Sequence, residues 1–113
     1  MSGSYCPSRG DIVWIRFHPS AGHEQSGERP ALVLSPLRYN RRVGLALLCP
    51  ITSQIKGYPF EIVLPEGLKA SGVVLADQVR SLDWTARNAR FCDRVPETIL
   101  KETVGKIATL LQE

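Results

Sequence analysis

Two runs decide how this chain folds: Gly10-Asp11-Ile12-Val13-Trp14-Ile15-Arg16-Phe17 and, after one loop, Pro30-Ala31-Leu32-Val33-Leu34. The first is rich in β-branched and aromatic residues, opened by Gly10 and closed by Pro19, and predicts a strand over 11–17. The second is continuously apolar, as in a strand buried on both faces. Pro30 is tolerated at its start because a first position need not donate to a ladder. Between them, Gly22 and Gly27 punctuate a charged loop from Pro19 to Glu28.

Working outward, the pattern stays strand-like almost to the end. Residues 35–44 read as a short helical turn or an excursion. Leu45 to Cys49 predicts a third strand stopped by Pro50, and Ile51 to Pro59 a polar loop. Phe60 to Leu64, Gly72 to Leu75, Gln78 to Leu82 and Arg90 to Cys92 predict further strands, with a turn over 65–71. A helix is predicted from Pro96 to Leu111. Pro96 suits a first helical position, and Glu97 suits the positive end of the helix dipole. Leu100, Val104, Ile107 and Leu111 recur at helical spacing as one apolar stripe. Antiparallel strands followed by one helix give a mainly β fold with α: a small barrel or strongly curved sheet carrying the helix on one side.

The 113 residues fit one domain, 1–113, with an apolar share of 43% and a charged share of 22%. A domain this small leaves much apolar surface uncovered, which favours pairing with a second copy. The net charge of +3 favours encounter with a polyanion without proving it. The odd set Cys6, Cys49 and Cys92 has no metal-ligand spacing and reads as free thiols in a reducing cytoplasm. His18 and His23 are too few for a zinc site. No apolar run at the start reads as a signal peptide, and no segment is long enough to cross a membrane.

Three segments hold groups that can do chemistry. Residues 22–30 offer the Glu24 carboxylate and the Arg29 guanidinium, whose fork suits phosphate. A solvated loop with a surface ion pair fits the same residues. Pro50 to Pro59 gathers Thr52, Ser53, Gln54, Lys56 and Tyr58: hydroxyls and a cation for phosphates, an amide for base edges, an aromatic ring for stacking. A polar turn bonding its own backbone is the alternative. Asp77 and Gln78 interrupt an apolar stretch, either as structural hydrogen-bond partners or as contacts. Trp14, Phe17, Trp84 and Phe91 read as core or interface, with Phe17 set apart because it ends a strand beside the charged loop.

These blocks resemble the MazF/PemK family of toxins. Gly10-Asp11-Ile12-Val13-Trp14 is similar to the family's opening. Glu24-Gln25-Ser26-Gly27-Glu28-Arg29-Pro30 running into a strand resembles its signature. Pro50 to Gln54 with Lys56 to Glu61, and Leu75 to Ser81, resemble its second and third blocks. The order and spacing hold from Arg9 to the terminal helix.

The resemblance implies an SH3-like antiparallel barrel of the CcdB/PemK type with a C-terminal helix. It implies a homodimer in the cytoplasm that cuts single-stranded RNA, mainly messenger RNA, at short sequences with no metal and no cofactor. It also implies a cognate antitoxin that holds the toxin inactive, DNA contact only through that complex, and no membrane role. By position, Arg29 and Thr52 match the family's catalytic pair and Glu24 an acidic residue important for activity. Phe17, Ser53, Gln54, Lys56, Gln78, Arg80 and Arg87 are the expected RNA contacts. The chain departs from the pattern with Ser53 where threonine commonly follows threonine, with His18 and His23, and with the extra basic residues Arg16, Arg38, Arg41 and Arg42. These differences bear on the cleavage sequence more than on the reaction class. A CcdB-like toxin, which poisons gyrase by protein contact without catalysis, is the rival reading.

Overall fold

The computed structural model describes residues 5–17 and 27–112. Its seven strands are β1 (Asp11–Arg16), β2 (Glu28–Val33), β3 (Leu45–Thr52), β4 (Glu61–Val63), β5 (Val73–Leu75), β6 (Arg80–Asp83) and β7 (Arg90–Arg94). Its helices are α1 (Leu37–Val43) and α2 (Glu97–Leu110). All pairings are antiparallel, in the order β4-β5-β3-β2-β1-β7, with β6 also on β3.

Alternate residues of the central strands feed two cores. Ile12, Leu32, Cys49 and Ile51 face one, which β4, β5 and α2 cover with Ile62, Val74 and Leu100. Val13, Ile15, Ala31, Val33, Ala46 and Leu48 face the other, closed by Leu82 with Tyr5 and Trp84 against it. Both faces are therefore dry, which explains why β2 reads as an unbroken apolar run.

The long β3 bends the sheet. On one edge, Leu48, Cys49 and Pro50 pair with Val33, Leu32 and Ala31 of β2. On the other, Leu45 to Leu48 pair with β6, and Ile51 and Thr52 pair with β5. Pro50 does not stop the strand as its sequence suggests. It sits where the outer-edge partner changes from β6 to β5, and a missing N–H is tolerated at such a gap. The architecture agrees with the expected barrel class, although among the described residues the sheet does not close: β4 and β7 remain at its two ends.

One open alternative is settled and one further expectation changes. The stretch after β2 is a true helix, α1, held by buried Asn40. The Asn40 amide donates to Pro7 O (2.8 Å) and Ser35 O (3.0 Å), and its Oδ1 accepts from Ser35 Oγ (2.6 Å). The buried face of α2 is Leu100 and Thr103, flanked by Ile99 and Ile107, while Val104 and Leu111 are exposed. Thr103 fits because its hydroxyl donates to Ile99 O (2.8 Å) within the helix, so burial leaves no orphaned group. Among the described residues, no helix is long and apolar enough to cross a membrane.

Candidate active site

Arg29 belongs to β2 rather than to the loop before it, paired with Ile15 of β1. The strand starts two residues earlier than its apolar run because β1 extends the ladder over Glu28 and Arg29. Neighbouring Glu28 is occupied by Arg90: Nη2 donates to Oε1 (2.5 Å), and this bond raises the Arg90 pKa. Arg29 itself is exposed and has no ion-pair partner among the described residues.

Thr52 ends β3. Its Oγ1 accepts the Gln54 N–H (3.1 Å), turning the chain into the next loop and leaving the hydroxyl proton free to donate. The β2–β3 ladder runs Val33↔Leu48, Leu32↔Cys49, Ala31↔Pro50 and then ends. Two residues further in the same register, Arg29 stands opposite Thr52. Between these unpaired strand ends lies a cavity of about 440 Å³, lined by Trp14, Arg29, Thr52, Ser53, Lys69 and Ser71 among others. Its described lining holds two cations and three hydroxyls but no carboxylate, a composition that suits an anion.

A smaller cavity of about 150 Å³ shares Thr52 and Gln54 with the first and continues to Lys56, Tyr58, Glu61 and Gln78. Its one lining carboxylate, Glu61, and nearby Asp77 are both already engaged. Glu61 accepts the N–H groups of Lys56 (3.0 Å) and Gly57 (2.8 Å), and Asp77 accepts the Tyr58 hydroxyl (2.9 Å). Partial desolvation and this bond raise the Tyr58 pKa, keeping the phenol neutral. The loop after β3 is thus pinned from both sides while Gln54 and Lys56 line the groove.

The expected residues divide accordingly. Arg29, Thr52, Ser53 and Gln54 line the large cavity; Gln54, Lys56 and Gln78 line the small one. Phe17, Arg80 and Arg87 form a separate group. Phe17 is 4% exposed and so offers no open face to a base; the Arg80 guanidinium covers its ring at 5.2 Å from the centroid. Arg87 Nη1 donates to Arg16 O (3.0 Å) and Phe17 O (2.9 Å), clamping the end of β1. Glu24, His18 and His23 lie outside the described residues.

Trp14, Lys69 and Ser71 were not expected at the site. Trp14 reads as core, and residues 65–71 as an ordinary turn. The one available signal was Gly72. Its φ is +113°, and a Cβ there would overlap the Thr52 carbonyl and come within 2.9 Å of Ser53 Cα. The turn therefore lies flat against the end of β3. Among the described residues, no cluster of three His, Cys, Asp or Glu side chains could hold a metal ion.

A curved antiparallel sheet with a helix on one side thus carries a cationic, hydroxyl-lined cleft, suited to an anion, at the ends of two central strands. The chain belongs to the PemK-like, MazF-like toxins of type II toxin-antitoxin systems, whose family model matches residues 8–111. It is 47% identical over 111 residues to the endoribonuclease toxin MazF of Escherichia coli K12, spanning 98% of this chain and 99% of that one. It is 39% identical to the endoribonuclease PemK of Escherichia coli over 91% of this chain and 80% of that one. Its fold superposes with a TM-score of 0.89 on a chain in a crystal structure of MazE-MazF from Deinococcus radiodurans, at 55% identity and covering 96% and 97% of the two chains.

Proposed function

We propose that this endoribonuclease toxin of the MazF/PemK type cuts single-stranded RNA, mainly messenger RNA, at a short sequence with no metal ion, and that an antitoxin protein silences it. The supporting observation is the placement of Arg29 and Thr52 at facing strand ends around one cationic cavity. In this reading the 2′-hydroxyl attacks the adjacent phosphorus. The O2′–P bond forms, the P–O5′ bond breaks, and the products carry a 2′,3′-cyclic phosphate and a 5′-hydroxyl.

One proton must leave O2′ and one must reach O5′, while extra negative charge gathers on the phosphoryl oxygens. The Arg29 guanidinium, permanently charged, stabilises that charge and is unsuited to be the base. The Thr52 hydroxyl adds a donor. Glu24, ionised at neutral pH, takes the O2′ proton, and solvent supplies the proton that O5′ gains. Lys56, Gln54, Gln78 and Ser53 hold the flanking nucleotides, with Arg80 and Arg87 extending the basic surface.

A second copy would cover exposed apolar surface, including Phe91 and Val104, which supports a homodimer. The cytoplasm fits three free thiols. Contact with DNA would come only through the antitoxin complex. The named relatives are endoribonucleases and give no support to a gyrase poison.

Purified wild-type protein and Arg29→Ala, each incubated with RNA in excess EDTA and, separately, with gyrase in magnesium buffer, test the proposal. RNA cleavage by wild type alone, with both proteins equally folded, is expected. Cleavage that survives the substitution, or that magnesium must restore, would count against it.

A further inference from the structure

The large cavity exceeds what one phosphate requires, and its cations stand on different elements: Arg29 on β2 and Lys69 on the turn between β4 and β5. We propose that Lys69 and Ser71 form a second phosphate subsite, which holds the phosphate next to the scissile one in the RNA strand. This rests on the endoribonuclease reading above and adds to it a binding site on a turn that contributes nothing to the chemistry at Arg29 and Thr52.

The turn has the rigidity that such a site needs. The Asp93 carboxylate accepts the Lys69 N–H (2.8 Å) through Oδ2 and the Arg94 N–H (2.8 Å) through Oδ1. These backbone bonds hold the Asp93 pKa below its usual value, so the anchor stays ionised. Leu64 N–H donates to Gly72 O (3.0 Å), closing the turn at its other end. Gly72, lacking a Cβ, seats it on the backbone of Thr52 and Ser53. Lys69 and Ser71 are therefore fixed relative to the residues that meet the scissile phosphate. The Lys69 side chain is exposed and has no salt bridge among the described residues. A strand entering at Arg29 and leaving over the turn would meet a cation, two hydroxyls (Thr52, Ser53), and then a second cation with its own hydroxyl.

The test uses full-length protein and a fluorescent 2′-fluoro oligoribonucleotide, which lacks the attacking hydroxyl, carrying the sequence that the protein cuts. Binding is measured across salt concentrations for wild type, Lys69→Met and Lys69→Arg. Loss of one phosphate contact should lower the slope of log K against log salt by about 0.7 and weaken binding several-fold, with arginine restoring both. A single uncharged methylphosphonate beside the scissile position should weaken wild-type binding but add nothing in Lys69→Met. Unchanged affinity and slope in Lys69→Met, or a methylphosphonate penalty that simply adds to the substitution, overturns the subsite while RNA cleavage by wild type leaves the parent reading standing. A wild type that neither binds nor cuts RNA overturns both.

Discussion

Arg29 and Thr52 occupy facing positions two residues beyond Ala31↔Pro50, the last paired rung of the β2–β3 ladder, where the hydrogen bonding between those strands has ended but each is still held by its other neighbour, β1 or β5. The opening is the absence of two rungs, and the two side chains are carried by strands rather than by loops. Such a pair is preorganised, which is where transition-state stabilisation gains most. Thr52→Val keeps the shape and removes the hydroxyl. It should lower kcat by about 10²–10³, or roughly 3–4 kcal/mol, if Thr52 donates to the developing charge. Thr52→Ser should stay within about tenfold of wild type. Single-turnover cleavage rates check both, and equal losses for Val and Ser would remove the hydroxyl from the account.

Gly72 is the packing counterpart of that arrangement. Any side chain there meets the Thr52 carbonyl and must also adopt a φ of +113°. Gly72→Ala should therefore cost about 1–3 kcal/mol from backbone strain alone, plus the clash. Because the clash falls on the strand end that carries Thr52, activity of the folded fraction should fall as well. Urea denaturation paired with cleavage assays at matched folded fraction would show this, and a variant stable and active as wild type would contradict it.

The thiols set an alkaline limit on stability. Burial pushes the Cys49 pKa up to about 12, against an ordinary thiol near 9.0, and burial also raises Cys6 and Cys92. A group whose folded pKa lies above its unfolded one stabilises the fold fully below the unfolded value. That contribution is lost as pH rises towards the folded value. The urea midpoint should thus decline between about pH 9 and 12, and Cys49→Val should flatten part of that decline. A midpoint that rises over this window would reverse the sign and refute the assignment.

β1 and β2 were legible as apolar-rich runs of the right length because both faces of the sheet are buried, and α2 was legible from the helical spacing of its apolar residues. Pro50 misled because a local rule for strand ends cannot see that the outer-edge partner changes there from β6 to β5. Val104 and Leu111 misled because helical spacing gives a stripe but not its position, and buried Thr103, bonded within its own helix, displaced it. At the site, Arg29 and Thr52 were visible through resemblance, yet their facing register depends on pairings that no single sequence displays. Lys69 and Ser71 were invisible because an exposed turn carries no pattern that says which strand end it covers. Phe17 stood at the expected place, but its ring was already taken up by the second core and by Arg80.

In the proposed reaction one phosphodiester is attacked by the adjacent 2′-hydroxyl between β2 and β3. Sequencing the ends of RNA fragments made by the purified protein in EDTA measures this most directly, with the 5′ ends tested for direct labelling by polynucleotide kinase. The expected fragments have 5′-hydroxyl ends that accept phosphate without prior phosphatase treatment, 2′,3′-cyclic phosphates opposite them, and one recurring short sequence at the cuts. Ends bearing a 5′-phosphate and a 3′-hydroxyl would contradict the proposed reaction, because they require water rather than the 2′-hydroxyl as the nucleophile.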